Sequence, residues 1–147
     1  MTSERILKLD LWATVVLAVT AAIAVVWTDP WSIPYAVLGV AAFVGGCVAF
    51  VWSYAVAVGR SRAEELSVVG IYFLADGSAP ASVRRRLLLL LAAQCVIVVV
   101  AAGIRPFTAV AFGVLAPMLG LGLMGLWGAR FGEFPERADA RGRRTAG

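Results

Sequence analysis

The sequence has no histidine, a single lysine (Lys8) and two cysteines, and only 15% of its 147 residues are charged. Without histidine the commonest metal ligand and general base is missing. Cys47 and Cys95 both fall inside apolar runs. A thiol there behaves as a small hydrophobe, so a disulfide framework is not expected. A soluble domain keeps about 25% of its residues charged. Here the charges avoid four long stretches, whose few polar groups at depth are Thr14, Thr20, Ser53, Tyr54 and Gln94. No ionisable group is expected well inside any of them. That counts against an ion-coupled carrier, which needs one near mid-membrane. A channel would need a carbonyl-loop filter or a charged ring, and neither is legible.

What remains is apolar: 61% of residues are hydrophobic and the mean hydropathy is +0.89. Crossing ~30 Å of hydrocarbon at ~1.5 Å per residue takes about 20 residues. Four runs qualify, at about 11–27, 34–58, 87–104 and 107–127. The expected fold is all-α: a polytopic membrane protein of four helices in two antiparallel hairpins. One membrane domain, 11–129, lies between a short N-terminus, 1–10, and a basic tail, 130–147, expected to be disordered. A basic start before an apolar run also fits a signal peptide. The run is long and no small-x-small cleavage site precedes a soluble domain, so a retained helix is the better reading.

The stretch Thr28 to Pro34 reads as a tight turn, because two prolines so close together should not sit inside a helix; Pro34 would open the second span. Within the loop 59–86, residues 63–74 carry Glu64 and Glu65 ahead of Leu66, Val69, Ile71, Phe73 and Leu74. That pattern predicts a short helix lying at the interface. Asp76 to Pro80 should break it, with Ser78 as N-cap of the helix that Pro80 opens. Pro117 should kink the fourth span.

Lysine and arginine are distributed unevenly. The N-terminus holds two, the loop five and the tail five, leaving Arg105 alone on the other side. The positive-inside rule then puts both termini and the loop in the cytoplasm, with the protein in the plasma membrane. Arg84, Arg85 and Arg86, just before the third span, are candidates for contact with anionic lipid, beside their plain role as topology determinants. Cytoplasmic loop charge also explains the net charge of +4, so no nucleic-acid partner is called for.

The outer turns resemble one another: Asp29-Pro30-Trp31-Ser32 and Arg105-Pro106-Phe107-Thr108. Two hairpins related by an axis along the membrane normal would explain this, and so would the ordinary frequency of proline and aromatics at interfaces. If the hairpins pack side by side, Asp29 and Arg105 become a candidate ion pair; otherwise they are two solvated turn charges.

Lipid supplies no hydrophobic drive between helices, so small residues should carry the packing. Gly122, Gly125 and Gly128 recur every three residues, Gly128 and Gly132 make a GxxxG, and Ala42 and Gly46 share that spacing in the second span. These faces are candidates for contact inside the bundle, with a partner, or with a second copy. Gln94 is the costliest group to leave unpaired and should face the bundle or a partner.

Three classes of function then compare. A carrier lacks its intramembrane charge, and a lipid or hydrophobic-solute carrier acting as an oligomer remains the alternative. An intramembrane enzyme would have to rest on Glu64, Glu65 and the arginines holding a Mg²⁺-phosphate headgroup, yet adjacent carboxylates point apart on a helix. A non-catalytic accessory, assembly or scaffold subunit needs only what is present. Its partners would be membrane lipids and another membrane protein or a second copy, with no cofactor. The segments Glu64-Glu65, Gly70 to Leu74, Gly77 to Pro80 and Arg84 to Arg86, with Gly122 to Gly132 and Pro135, resemble uncharacterised four-span membrane proteins of high-G+C actinobacteria. That resemblance implies the four-span fold and brings no functional residue with it.

Overall fold

A computed structural model of the chain describes residues 2–75 and 77–136. Asp76 of the loop turn and residues 137–147 of the tail lie outside the described residues. Four helical stretches are long and apolar enough to cross a membrane. They are α1 (Ser3–Val26), α2 (Thr28–Arg60), α4 (Ala81–Ile104), and a 3-10 helix (Ala109–Leu115) that runs into α5 (Pro117–Phe131). The short α3 (Val68–Tyr72) sits in the loop between α2 and α4.

Helix α1 begins eight residues before the expected start of its span, at Ser3. The extension follows from one buried stripe: Ile6, Asp10, Thr14, Leu17, Ala21 and Ala24. Steps of three and four residues place all six on the same face. In α2 only Asp29 leaves helical geometry. Helix therefore resumes at Pro30, whose missing N–H is one of the first-turn donors that have no partner anyway. Pro34 forfeits a single bond one turn later, so the expected turn is shorter than seven residues. The predicted kink at Pro117 is a change of helix type, with Pro117 opening α5.

The spans pack as a square in the order α1, α2, α5, α4. Helix α1 lies on α4, and α2 lies on both α5 and the 3-10 helix, whereas α2 and α4 barely meet. The hairpins are thus stacked with like helices adjacent. A two-fold along the bundle axis would carry each helix to the opposite corner, so that form of repeat is not how the spans are arranged.

Small residues hold the α2–α5 seam. A side chain at Gly46 would run into the Met118 backbone, and one at Gly122 into the Gly46 carbonyl. Gly39 approaches Phe112 and Gly113 of the 3-10 helix in the same way. Ala42 packs against the cluster formed by Leu17, Tyr35, Val98 and Val110. Gly125 accommodates the Tyr72 ring and Gly128 the Ile71 carbonyl, which docks α3 onto α5, while Gly132 faces Phe134.

The expected helix over 63–74 is reduced to the five residues of α3. Residues 64 and 65 are drawn off by the segment after α5: Glu65 N–H donates to the Pro135 carbonyl at 2.8 Å, and Glu64 bridges to Glu136. Ser78 does not cap α4, which has Pro80 in that position; the Ser78 hydroxyl donates instead to the Gly70 carbonyl, 2.8 Å. Residues 130–136 likewise depart from the disordered tail expected there. Phe131 ends α5 and Phe134 packs on the cluster of Ala57, Ile71, Tyr72 and Ala129.

Candidate functional site

Two apolar clusters fill the bundle on the α1–α4 side. One contains Leu17, Ala21, Ala24, Val98 and Ala101; the other contains Ile6, Leu87, Leu123, Met124 and Trp127. Between them lies a polar layer of Asp10 and Thr14 from α1 and Gln94 from α4. All three are buried, with 1%, 7% and 2% of their surfaces exposed. The Gln94 amide donates to Asp10 Oδ1 at 2.9 Å and to Thr14 Oγ1 at 2.8 Å. Thr14 passes its own proton to the Asp10 carbonyl, 2.8 Å. Gln94 is seven residues past Leu87, about 10 Å along a helix, so the layer lies inside the apolar run.

This overturns the expectation that no ionisable group sits within a span. The signal was present in the sequence: Asp10 shares the three- and four-residue spacing of Ile6, Thr14 and Leu17, while Lys8 and Glu4 lie off that stripe and pair with each other at 3.7 Å. Grouping Asp10 with its charged neighbours hid the pattern. Gln94 turns toward the bundle, and a cavity of about 60 Å³ opens beside it, lined by Ala13, Leu38, Ala42, Ala116 and Leu119 among others. Gln94 Oε1 rests where a side chain at position 120 would begin, so Gly120 makes room for it.

A second concentration of polar contacts ties off the arginine-rich end. Arg60 donates to the carbonyls of Ala129 at 2.8 Å and Gly132 at 2.9 Å. It also pairs with Glu64 at 2.7 Å and lies over the Phe134 ring, 5.5 Å from its centre. These carbonyls belong to the end of α5, where the helix leaves acceptors unpaired and the dipole favours a cation. Trp127 Nε1 donates to Ser3 Oγ at 2.8 Å, and Glu133 N–H to the Ser78 carbonyl at 2.9 Å. The N-terminus, the loop and the end of α5 are therefore stapled together. Inside the staple, the Ser53 and Tyr72 hydroxyls share the Phe50 carbonyl at 2.7 and 3.1 Å, and the Tyr72 ring stacks on Phe50.

Arg84, Arg85 and Arg86 are exposed on the first turns of α4. Arg84 and Arg85 border an open groove of about 610 Å³ whose floor is Leu74, Ala79, Leu88 and Leu89. At the opposite end, Asp29 and Arg105 are not brought together as an ion pair. Arg105 Nε donates to the Val25 carbonyl at 3.0 Å, where the last turn of α1 leaves acceptors free. Cys47 and Cys95 are free thiols. Glu64 is taken up by Arg60, and among the described residues no three Asp, Glu, Cys or His side chains gather closely enough to hold a metal ion. Comparison with protein-family models, with curated proteins and with solved structures gives no match. The chain is thus characterised by its own architecture: four apolar helices that can span a membrane, with one polar layer and one stapled end.

Proposed function

We propose that the chain is a non-catalytic subunit of a membrane complex, acting by binding, with both termini and the loop on the cytoplasmic side of the plasma membrane. The observation that carries this reading is the stapled end. Arg60, Glu65, Ser78 and Trp127 fix three separate segments into one surface. That surface turns Val68, Val69 and Phe73 outward at 67%, 54% and 47% exposure. Hydrogen bonds that rigidify a loop while it presents apolar side chains favour docking, because the ordering cost is met before the partner arrives. Arg84 and Arg85 beside the apolar groove suit the headgroups of anionic lipids, at about 1 kcal/mol for each arginine near a charged surface.

The test is purification from the native membrane in mild detergent, with co-purifying proteins and lipids identified by mass spectrometry. A stoichiometric protein partner that is lost from a Val68→Ser, Val69→Ser, Phe73→Ser variant would support the reading. A partner retained by that variant would reject the stapled end as its seat. A cysteine placed at Ser82 should react with an impermeant maleimide only from the cytoplasmic side.

A second reading, a lipid or hydrophobic-solute carrier acting as an oligomer, is favoured by one observation. Asp10 supplies the ionisable group inside a span that such carriers use. Solute uptake into proteoliposomes that is lost in Asp10→Asn would select it over the first.

A further inference from the structure

The polar layer has an imbalance that its neighbours do not correct. Its donors are all used. Both amide protons of Gln94 are committed, one to Asp10 Oδ1 and one to Thr14 Oγ1, and the Thr14 proton goes to the Asp10 carbonyl. Two acceptors are left over: Asp10 Oδ2 and Gln94 Oε1 are buried with no hydrogen-bond partner. A carboxylate oxygen in apolar surroundings is costly unless it is paired or neutralised. What the layer lacks is therefore a donor for each acceptor and, at the carboxylate, a balancing positive charge or proton, and the surrounding elements supply little of either. On α4, Arg86 is the cation whose field reaches Asp10, and it is exposed to solvent. On α1, Glu4 and Lys8 are exposed and engaged with each other. Helices α2 and α5 face the neighbouring cavity with Leu38, Ala42 and Leu119, and α5 meets Gln94 with Gly120; none of these titrates. The cavity of about 60 Å³ beside Gln94 exceeds the ~10–15 Å³ that one water needs, and of the three polar side chains Gln94 is the one that lines it.

We propose that Asp10, held by Gln94 and Thr14, is a binding site for one exchangeable monovalent cation, a proton or a sodium ion, taken at the free carboxylate oxygen. Proton binding converts the carboxylate to the neutral acid; sodium binding leaves the carboxylate and balances its charge. Gln94 and Thr14 are positioning residues: they fix one carboxylate oxygen and leave the other to the ligand. The inference is independent of the choice between subunit and carrier, since a carrier would move the cation and a subunit would respond to it.

The test uses the full chain in lipid nanodiscs and infrared difference spectra on steps of pH and of sodium concentration. Asp10→Asn keeps a side-chain carbonyl for the Gln94 amide and removes the site. A carboxyl band that changes on either step in the wild type, and is lost in Asp10→Asn, is the expected result. A response to pH that sodium does not alter assigns the proton, and a response to sodium at fixed pH assigns sodium. Wild-type and Asp10→Asn spectra that are identical on both steps would overturn the proposal, leaving a layer filled only by water. If Asp10→Asn does not assemble, carbon-13 labelling of aspartate carboxyls in the unsubstituted protein assigns the band through its isotope shift. The absence of any shifted band on either step overturns the proposal equally.

Discussion

Between α2 and α5 the backbones meet, with Gly46 against Met118 and Gly122 against Gly46. Between α1 and α4 the helices are joined through side chains, by alanines toward one end and by Asp10, Thr14 and Gln94 further along. The first seam depends on nothing being present at its glycines. The second depends on a particular amide being present at position 94. In lipid both devices replace the hydrophobic drive that soluble bundles enjoy, and they differ in size. Interhelical hydrogen bonds average about 0.6 kcal/mol and reach about 1.7, whereas forcing methylenes into a tight contact costs about 1–3 kcal/mol or more. The glycine seam should therefore set the stability of the bundle, and the polar seam should set something else.

The largest effect should come from Gly46→Leu, which would push α5 off α2 and prevent assembly; Gly46→Ala should destabilise by about 1–3 kcal/mol. Unfolding in mixed micelles would measure this, with Gly59→Ala as a control, since nothing lies within 4 Å of a side chain there. A Gly46→Ala protein as stable as the wild type would break the comparison. Next is Arg60→Ala, which removes two charge-assisted bonds to α5 carbonyls. About 1.5 kcal/mol is expected, at the low end for such bonds because the guanidinium is partly solvated, together with faster proteolysis across 132–136.

Gln94→Leu should cost about 1 kcal/mol, within the range for interhelical hydrogen bonds, where Asp10 is neutralised, and more where its buried carboxylate is left charged without the amide. A loss as large as that of Gly46→Leu would make the two seams equals. Smallest of all, a double-mutant cycle between Asp29→Asn and Arg105→Ala should show no coupling, because the two are not paired. Arg105→Ala by itself should lose only its bond to the Val25 carbonyl.

The same comparison shows where the sequence could be read. Apolar length alone located four spans, since hydrocarbon thickness fixes it. The spacings singled out Gly46 and Gly122, which lie against the facing helix, but not the loop residues Ile71 and Tyr72 that Gly125 and Gly128 receive, because a missing side chain is visible without showing what fills its place. The polar seam was half legible. Gln94 stands out in a run of leucine, valine and alanine, whereas Asp10 looked like one charge among Glu4, Arg5 and Lys8. Its burial depends on α1 starting at Ser3 and on an amide 84 residues away. The staple was illegible for a related reason. Arg60, Glu65 and Ser78 all sit in ordinary loop contexts, and their partners lie in a stretch, 129–136, whose composition reads as tail. Long-range hydrogen bonds to backbone carbonyls leave no trace in residue spacing.

The glycine seam also bears on how the chain is made. Helix α5 is translated after α1, α2, α3 and α4, and all of them touch it. Until Pro117–Phe131 leaves the ribosome, the groove at Gly46 has only lipid to fill it, α3 has no floor, and Arg60 has no carbonyls to hold. The α2–α5 seam and the stapled end therefore close last, and both depend on the segment that is made last.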